Sequence, residues 1–451
     1  MLLCALAMPV SAAVFHVDTT ADFTDSLPGD GVCNGAVSGS SCSLRAAVQE
    51  ANALAGADVI TLAAGIHVLA LAGRGDDLSA SGDLDITEDV LIRGDGEAQT
   101  VIDGAALDRA FDVHRSASPV LLRLEDLTVR NGRADHPGGA RGGCIQVAAG
   151  AGLSLLRVTV RDCAARFDGV GILNEGHVLG AAVSLLANAS IDGVQGFANG
   201  GAIASIGPGT ALELHDCLIE GNVARGGGGV YVSTSHTGQR ASVVLDRCSV
   251  IDNEVLQLGG ALHANMACDV TITNSTISGN HAGSGGAFYN DGGCTFDIRE
   301  STIVGNHANN FGGGISEVHF DPQPIALTNT ILAGNSAGIG GPNCSQRLHS
   351  NGGTLVGDMS GCNAALLPGD LAGVDPMLEP LTRPGARLAV HLPLAGSPVV
   401  DAGVNLSCAG VDQRGVSRPQ DGDLDGSVVC DMGAIEHRSD PLFADGFESP
   451  P

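Results

Sequence analysis

From about Leu122 to Asn335 one rung-like pattern recurs eight times, and no other feature of the chain restricts its fold as tightly. Clear copies are Leu212–Asn222 (LELHDCLIEGN) and Val270–Asn280 (VTITNSTISGN). With the last residue of each copy as anchor, the anchors are Gly132, Cys163, Val194, Asn222, Asn253, Asn280, Asn306 and Asn335, spaced 26 to 31 residues apart. Eight residues before each anchor stand Leu124, Leu155, Leu186, Leu214, Leu245, Ile272, Ile298 and Leu327. Three before stand Val129, Val160, Ile191, Ile219, Val250, Ile277, Ile303 and Leu332. Ten before, the column is apolar except at the third copy, where Ser184 falls. No helical period places apolar residues this way; two-residue alternation interrupted once by a turn does.

A unit of this length that cannot bury its own apolar face must stack on copies of itself. With strand and glycine signals and no helical content, the expected coil is an all-β helix of parallel stacked strands. Equivalent positions then form inward ladders. Asn222, Asn253, Asn280, Asn306 and Asn335 are expected to stack as a structural asparagine ladder at a turn, their amides satisfying turn backbone and one another. A glycine pair precedes an apolar residue once per coil, as in Gly200-Gly201, Gly259-Gly260, Gly285-Gly286 and Gly312-Gly313, where a tight corner needs left-handed backbone and close approach. The alternation of these two elements resembles right-handed parallel β-helix proteins, including polymorphic outer-membrane-protein repeats, over about half the chain.

Composition narrows the partners. The formal net charge is −28 and every basic residue apart from histidine is arginine, which counts against nucleic acid and anionic membrane surfaces as partners. No apolar run reaches the ~20 residues that span a bilayer. Trp is absent and Tyr occurs only at Tyr231 and Tyr289, which counts against the aromatic platforms of a sugar-binding cleft.

Residues 1–13 (MLLCALAMPVSAA) read as a secretory signal-peptide remnant whose start lies upstream. Setting Cys4 aside leaves an even number of the 13 cysteines, as disulfides in an oxidising compartment require. Cys217 and Cys248 each lie five before an anchor on adjacent coils, and Cys268 and Cys294 each lie twelve before. Stacked strands are about 4.8 Å apart, within disulfide reach, with unpaired stacked thiols as the alternative. Cys33–Cys42, Cys344–Cys362 and Cys408–Cys430 are loop closures by proximity, and Cys144–Cys163 remains by elimination. Ser43 reads as the N-cap of a short helix that covers the end of the coil. The stretch Cys42-Ser43-Leu44-Arg45-Ala46-Ala47 resembles the CSLREA motif of secreted bacterial β-helix proteins, with Ala46 in place of its glutamate. Towards the C-terminus, Gly396–Gly403, Asp412–Gly415 and Cys430–Glu436 resemble the choice-of-anchor Q module, which implies a C-terminal cap on a surface or secreted protein. The last residues, with Phe443–Glu448, resemble a tail of exported Gram-negative proteins. The expected organisation is therefore 1–13 signal remnant, 14–83 N-terminal cap, 84–345 β-helix, 346–436 C-terminal cap and 437–451 tail.

Chemistry is sparse in this reading. Asp421, Asp423 and Asp425 have the D-x-D-x-D-G spacing that surrounds Ca²⁺ with oxygens, but the twelfth position is Met432, leaving Asp431 or Glu436 to complete the site, with a solvated acidic loop as the alternative. Six before each anchor lies an outward column containing Asp216, Arg247 and Glu300, which reads first as a solvated face and otherwise as a shallow catalytic groove. Two Arg-Gly-Asp tripeptides, at Arg74 and Arg93, suit turns rather than adhesion. The expectation is a secreted or cell-surface scaffold that binds a protein or glycan, with a pectate-lyase-like polysaccharide lyase or glycoside hydrolase as the alternative.

Overall fold

The computed structural model describes residues 12–35, 41–115, 118–136, 140–234, 238–317, 325–385 and 387–438. The expected signal remnant up to residue 11, and the expected tail from 439 on, lie outside the described residues. Short strands stack in register, all parallel, into a β-helix. One face carries Leu212 under Val243, Val270, Phe296 and Ile325. A second, after a corner, stacks Ile219, Val250, Ile277, Ile303 and Leu332. The third stacks Ile172, Ile203, Val230, Leu262, Phe288 and Ile315. These inward columns are buried and form one continuous apolar core. Among the described residues no helix is long and apolar enough to cross a membrane.

The coil extends past both expected limits. Val14–Val17 pairs with Asp58–Leu62, which pairs with Val90–Arg93. At the other end Cys344–Ser350 pairs with Cys362–Ala365, and Leu355–Val356 with Leu371–Ala372. Helix Leu44–Ala53 starts on Ser43, whose hydroxyl accepts the Ala46 N–H at 3.1 Å. Its Arg45 is fully buried and grips both Asp22 oxygens and the carbonyls of Ser79, Gly82 and Asp83.

Corners fix the coil. The position before each anchor has left-handed backbone: Asn131, Asp162, Ala187, Gly221, Asp252, Gly279, Gly305 and Gly334. So does the position six before: Asp126, Arg157, Ala182, Asp216, Arg247, Asn274, Glu300 and Asn329. The first glycine of each pair supplies the third such corner, and a Cβ on the second would strike the next coil, at 2.3 Å from the Gly286 carbonyl in the case of Gly260. After the first corner each asparagine turns inward. The N–H and side-chain amide of Asn222 both donate to Asn253 Oδ1, those of Asn253 to Asn280, and so on through Asn306 and Asn335 at 2.9–3.1 Å. Each amide also donates to a carbonyl of the preceding coil, as Asn253 does to Ile219. A second ladder runs five before the anchors, where Ser275, Ser301 and Thr330 hydroxyls accept backbone N–H groups of the preceding coil.

The third copy is corrected. Leu212 stacks on Val178 and Ile219 on Leu185, so its anchor is Asn188 and not Val194. Asn188 heads the ladder, its amide donating to Asn222 Oδ1, and Cys163 N–H donates to Asn188 Oδ1. The coil before it is short and an insertion, Gly193–Gln195, follows it as a single 3₁₀ turn. Ser184 therefore faces outward, as does Leu186.

The C-terminal stretch does not sit across the end of the coil. Residues 373–385 and 387–438 run back along the flank, over the outward side of the second face. Arg387 pairs with Glu97 and Ser184, Arg383 with Glu220, and Ala389 exchanges two bonds with the Ser249 hydroxyl. Gln413 bonds Thr276, Ser249 and the Cys248 carbonyl. This covers Ser278, an outward residue that is nonetheless 5% exposed, with its hydroxyl 3.0 Å from His391 Nε2. The alternation correctly places Ile277 inward and Ser278 outward; outward here means under a strap rather than in water.

A contrast free of the strap tests the register. Ile277→Asn buries an amide and leaves a cavity, and should cost roughly 3 kcal/mol. Thr271→Asn, outward and half-exposed on the first face, should cost less than about 1 kcal/mol. Urea unfolding of the two variants measures both; equal losses would contradict the register.

Candidate active site

The sequence expectation for catalysis does not assemble. Asp216 and Arg247, on adjacent coils, form a two-pronged ion pair at 2.8 and 2.9 Å, and Arg247 also reaches Asp246. Glu300 lies two coils further on, with Asn274 between, is buried, and accepts the Ala409 N–H at 2.8 Å. The reason is geometric: all belong to a left-handed corner column, so each side chain meets only its nearest coils. Of the calcium candidates, Asp421 and Asp423 lie with Asp401, close enough to share one cation, while Asp425 turns to accept the Ser427 N–H. Asp401 accepts N–H bonds from Gly422 and Asp423. Asp431 and Glu436 lie buried around Arg418, and Met432 is core. The pairs Cys33–Cys42, Cys144–Cys163, Cys217–Cys248, Cys268–Cys294, Cys344–Cys362 and Cys408–Cys430 are bonded in the structure. The two coil-to-coil ones join Cα atoms 4.4 and 4.5 Å apart.

Carboxylates and an arginine do converge, on the irregular first coils. Strands Leu84–Ile86, Phe111–Val113 and Ile145–Val147 stack in register on the third face. Alternation sends Leu84, Ile86, Phe111, Val113, Ile145 and Val147 into the core, so Asp85, Asp112 and Gln146 point out. Asp83 and Arg109 precede the first two strands. Together with Asp76, Asp77 and Asp108 they line a cleft of about 630 Å³, walled opposite by His136, Arg141 and Phe167. Arg109 Nη1 lies 2.8 Å from Asp112 Oδ2 and 3.3 Å from Asp83 Oδ2. Sharing one nitrogen, the two carboxylate oxygens stand no more than about 6 Å apart, below the ~6.5 Å at which pairs that place a water between them begin.

Burial raises the carboxyls of this cleft. Burial pushes the Asp83 carboxyl up to about 7, against the pull of Arg109 and with help from Asp108, Asp85 and Asp112. Burial also raises Asp112 and Asp108, each opposed by Arg109. His114 is raised first by its hydrogen bond to Asp85, at 2.8 Å. Arg45, through the Gly82 and Asp83 carbonyls, pins the segment that carries Asp83. The repeat pattern did not point here, because these coils fall before its first copy; the density of aspartates between Asp76 and Asp112 was the available signal.

The sequence model of the right handed beta helix region matches residues 201–366, in keeping with the parallel coil seen here. No curated protein matches the chain. Among solved structures, pectate lyase Pel9A is similar at 15% identity and a TM-score of 0.49, covering 95% of this chain and 98% of that one. The A-module of the Azotobacter vinelandii mannuronan C-5 epimerase AlgE4 is similar at 15% identity and a TM-score of 0.40, covering 80% and 96%. The catalytic unit of a GH87 α-1,3-glucanase from Streptomyces thermodiastaticus follows at 14% identity and 0.33, covering 82% and 71%. At these identities and scores the likeness carries no information about activity.

A raised carboxyl destabilises the fold where it must ionise. The stabilising contribution of protonated Asp83 is complete below its unfolded value, roughly pH 4, and is lost as pH rises through about 7. Asp83→Asn, a mimic of the protonated form, should therefore gain in melting temperature over the parent as pH rises across that window. A difference that stays constant or shrinks would contradict the assignment.

Proposed function

We propose that the protein is an exported hydrolase of neutral polysaccharides, built on the right-handed β-helix fold, with Asp83 and Asp112 as its working pair. The observation that carries this is the single Arg109 nitrogen shared by two buried carboxylates in an open cleft. Asp83, protonated up to about pH 7, donates its proton to the glycosidic oxygen as the leaving group departs. Asp112, whose carboxylate form the adjacent Arg109 favours against burial, attacks the anomeric carbon; water then displaces it, giving its proton to Asp83 and restoring both groups. The surrounding aspartates and the net charge of −28 oppose uronate chains, which is why a neutral glycan is the substrate class.

Export accords with six disulfides in the described residues and with the CSLREA-like and anchor-like segments, which fit secretion to the cell surface of a Gram-negative bacterium. A purely adhesive scaffold is the second reading. It is favoured by the flank, where Asp126–Arg157 and Asp216–Arg247 neutralise each other along the coil.

The test is release of reducing ends from glucans, mannans, galactans and xylans, with a polyuronate alongside. At least one neutral glycan should be cleaved, and Asp83→Asn and Asp112→Asn should each lower the rate by about a hundredfold or more. Binding of a glycan without cleavage would transfer the assignment to the adhesive scaffold. Cleavage that survives both substitutions would remove it from this cleft.

A further inference from the structure

A second cavity, of about 400 Å³, lies on the flank far along the coil from the acidic cleft. Its floor is the left-handed corner column, with Asn274 and Glu300 on consecutive coils, joined by Asp246, Thr273 and Arg299. Its roof is the loop Leu406–Ala409, fastened by the Cys408–Cys430 disulfide and by Val404, whose N–H and carbonyl both bond the Asn329 amide. Nothing in the repeat itself supplies this roof, which comes from the C-terminal strap.

The cavity holds an unsatisfied group. Asn274 is 4% exposed and its Oδ1 has no hydrogen-bond partner, whereas the ladder asparagines are fully bonded. A buried amide oxygen without a partner costs free energy unless something else satisfies it. The charges around it select what that is. Arg299 lines the cavity and Arg247 holds Asp246, which opposes a bare cation. Asp246 and Glu300 line it too, which opposes an anion. A neutral molecule that both donates and accepts hydrogen bonds suits such a mixture. The exposed side chain of Leu406, with 98% of its surface in solvent, stands beside it as an apolar face for the C–H side of a ring.

We propose that this roofed cavity is a binding site for one residue of a neutral sugar, separate from the acidic cleft. Its hydroxyls donate to Asn274 and Asp246 and accept from Arg299, and its ring lies against Leu406. The site holds a glycan and does not cleave it.

Saturation-transfer NMR with glucose, galactose, mannose, xylose and N-acetylglucosamine on the intact protein tests this. At least one sugar should show transfer, and Asn274→Gly, which keeps the left-handed backbone while removing the amide, should weaken it by tenfold or more. Arg299→Ala, at an exposed position that leaves the core untouched, should weaken it as well. Asn274→Gly should leave the release of reducing ends by the cleft unchanged, so that this site and the cleft succeed or fail separately. Transfer from none of the sugars, or transfer that survives Asn274→Gly and Arg299→Ala, would overturn the proposal.

Discussion

The asparagine ladder is the interaction on which the rest of the molecule rests. A left-handed corner turns the chain through a tight angle and strands backbone groups inside the coil. Each asparagine closes that deficit three ways: its oxygen takes the N–H and the amide of the asparagine one coil before, and its nitrogen reaches a carbonyl of that same preceding coil. The same residue thus satisfies the corner and sets the axial register. Once register is set, inward columns coincide, the apolar core becomes continuous, and cysteines in one column come within bonding distance.

What was legible in the sequence follows from this repetition. Columns that recur at near-constant spacing expose the inward set, the asparagines and the stacked cysteines without any knowledge of distant contacts. The third copy failed because two unequal coils, 25 and 34 residues by the true anchors Cys163, Asn188 and Asn222, sum to nearly two ordinary ones. The mismatch was visible as Ser184 in an apolar column, and the polar residue marked the wrong register. The strap was illegible for another reason. Bonds from Gln413 to Thr276 or from Arg387 to Glu97 join residues far apart in sequence, and no period announces them.

The candidate site sits where the pattern is weakest. Regular coils offer repeated surfaces, with corner charges that pair with their own copies one coil away. Irregular coils break that self-pairing, and there Asp83, Asp108 and Asp112 converge on Arg109. Arg45 contributes from the capping helix, since the buried guanidinium that anchors this helix also holds the loop leading to Asp83. The motif read as an end-cap is therefore also part of the support beneath the cleft. The cavity on the flank has the same logic, because the strap adds a loop that the repeat lacks and so turns one stretch of the corner column into a recess.

The most direct measurement is the stability of Asn253→Ala, in the middle of the ladder and away from the strap's own bonds. The substitution leaves the Asn222 N–H and amide and the Ile219 carbonyl without their partner in a buried corner. Chemical denaturation should show a loss of at least about 3 kcal/mol, several buried groups at ~1–3 kcal/mol each, with lower cooperativity as coils on either side uncouple. A loss below about 0.5 kcal/mol, the size of an ordinary surface change, would contradict the ladder as the element that holds the coil together.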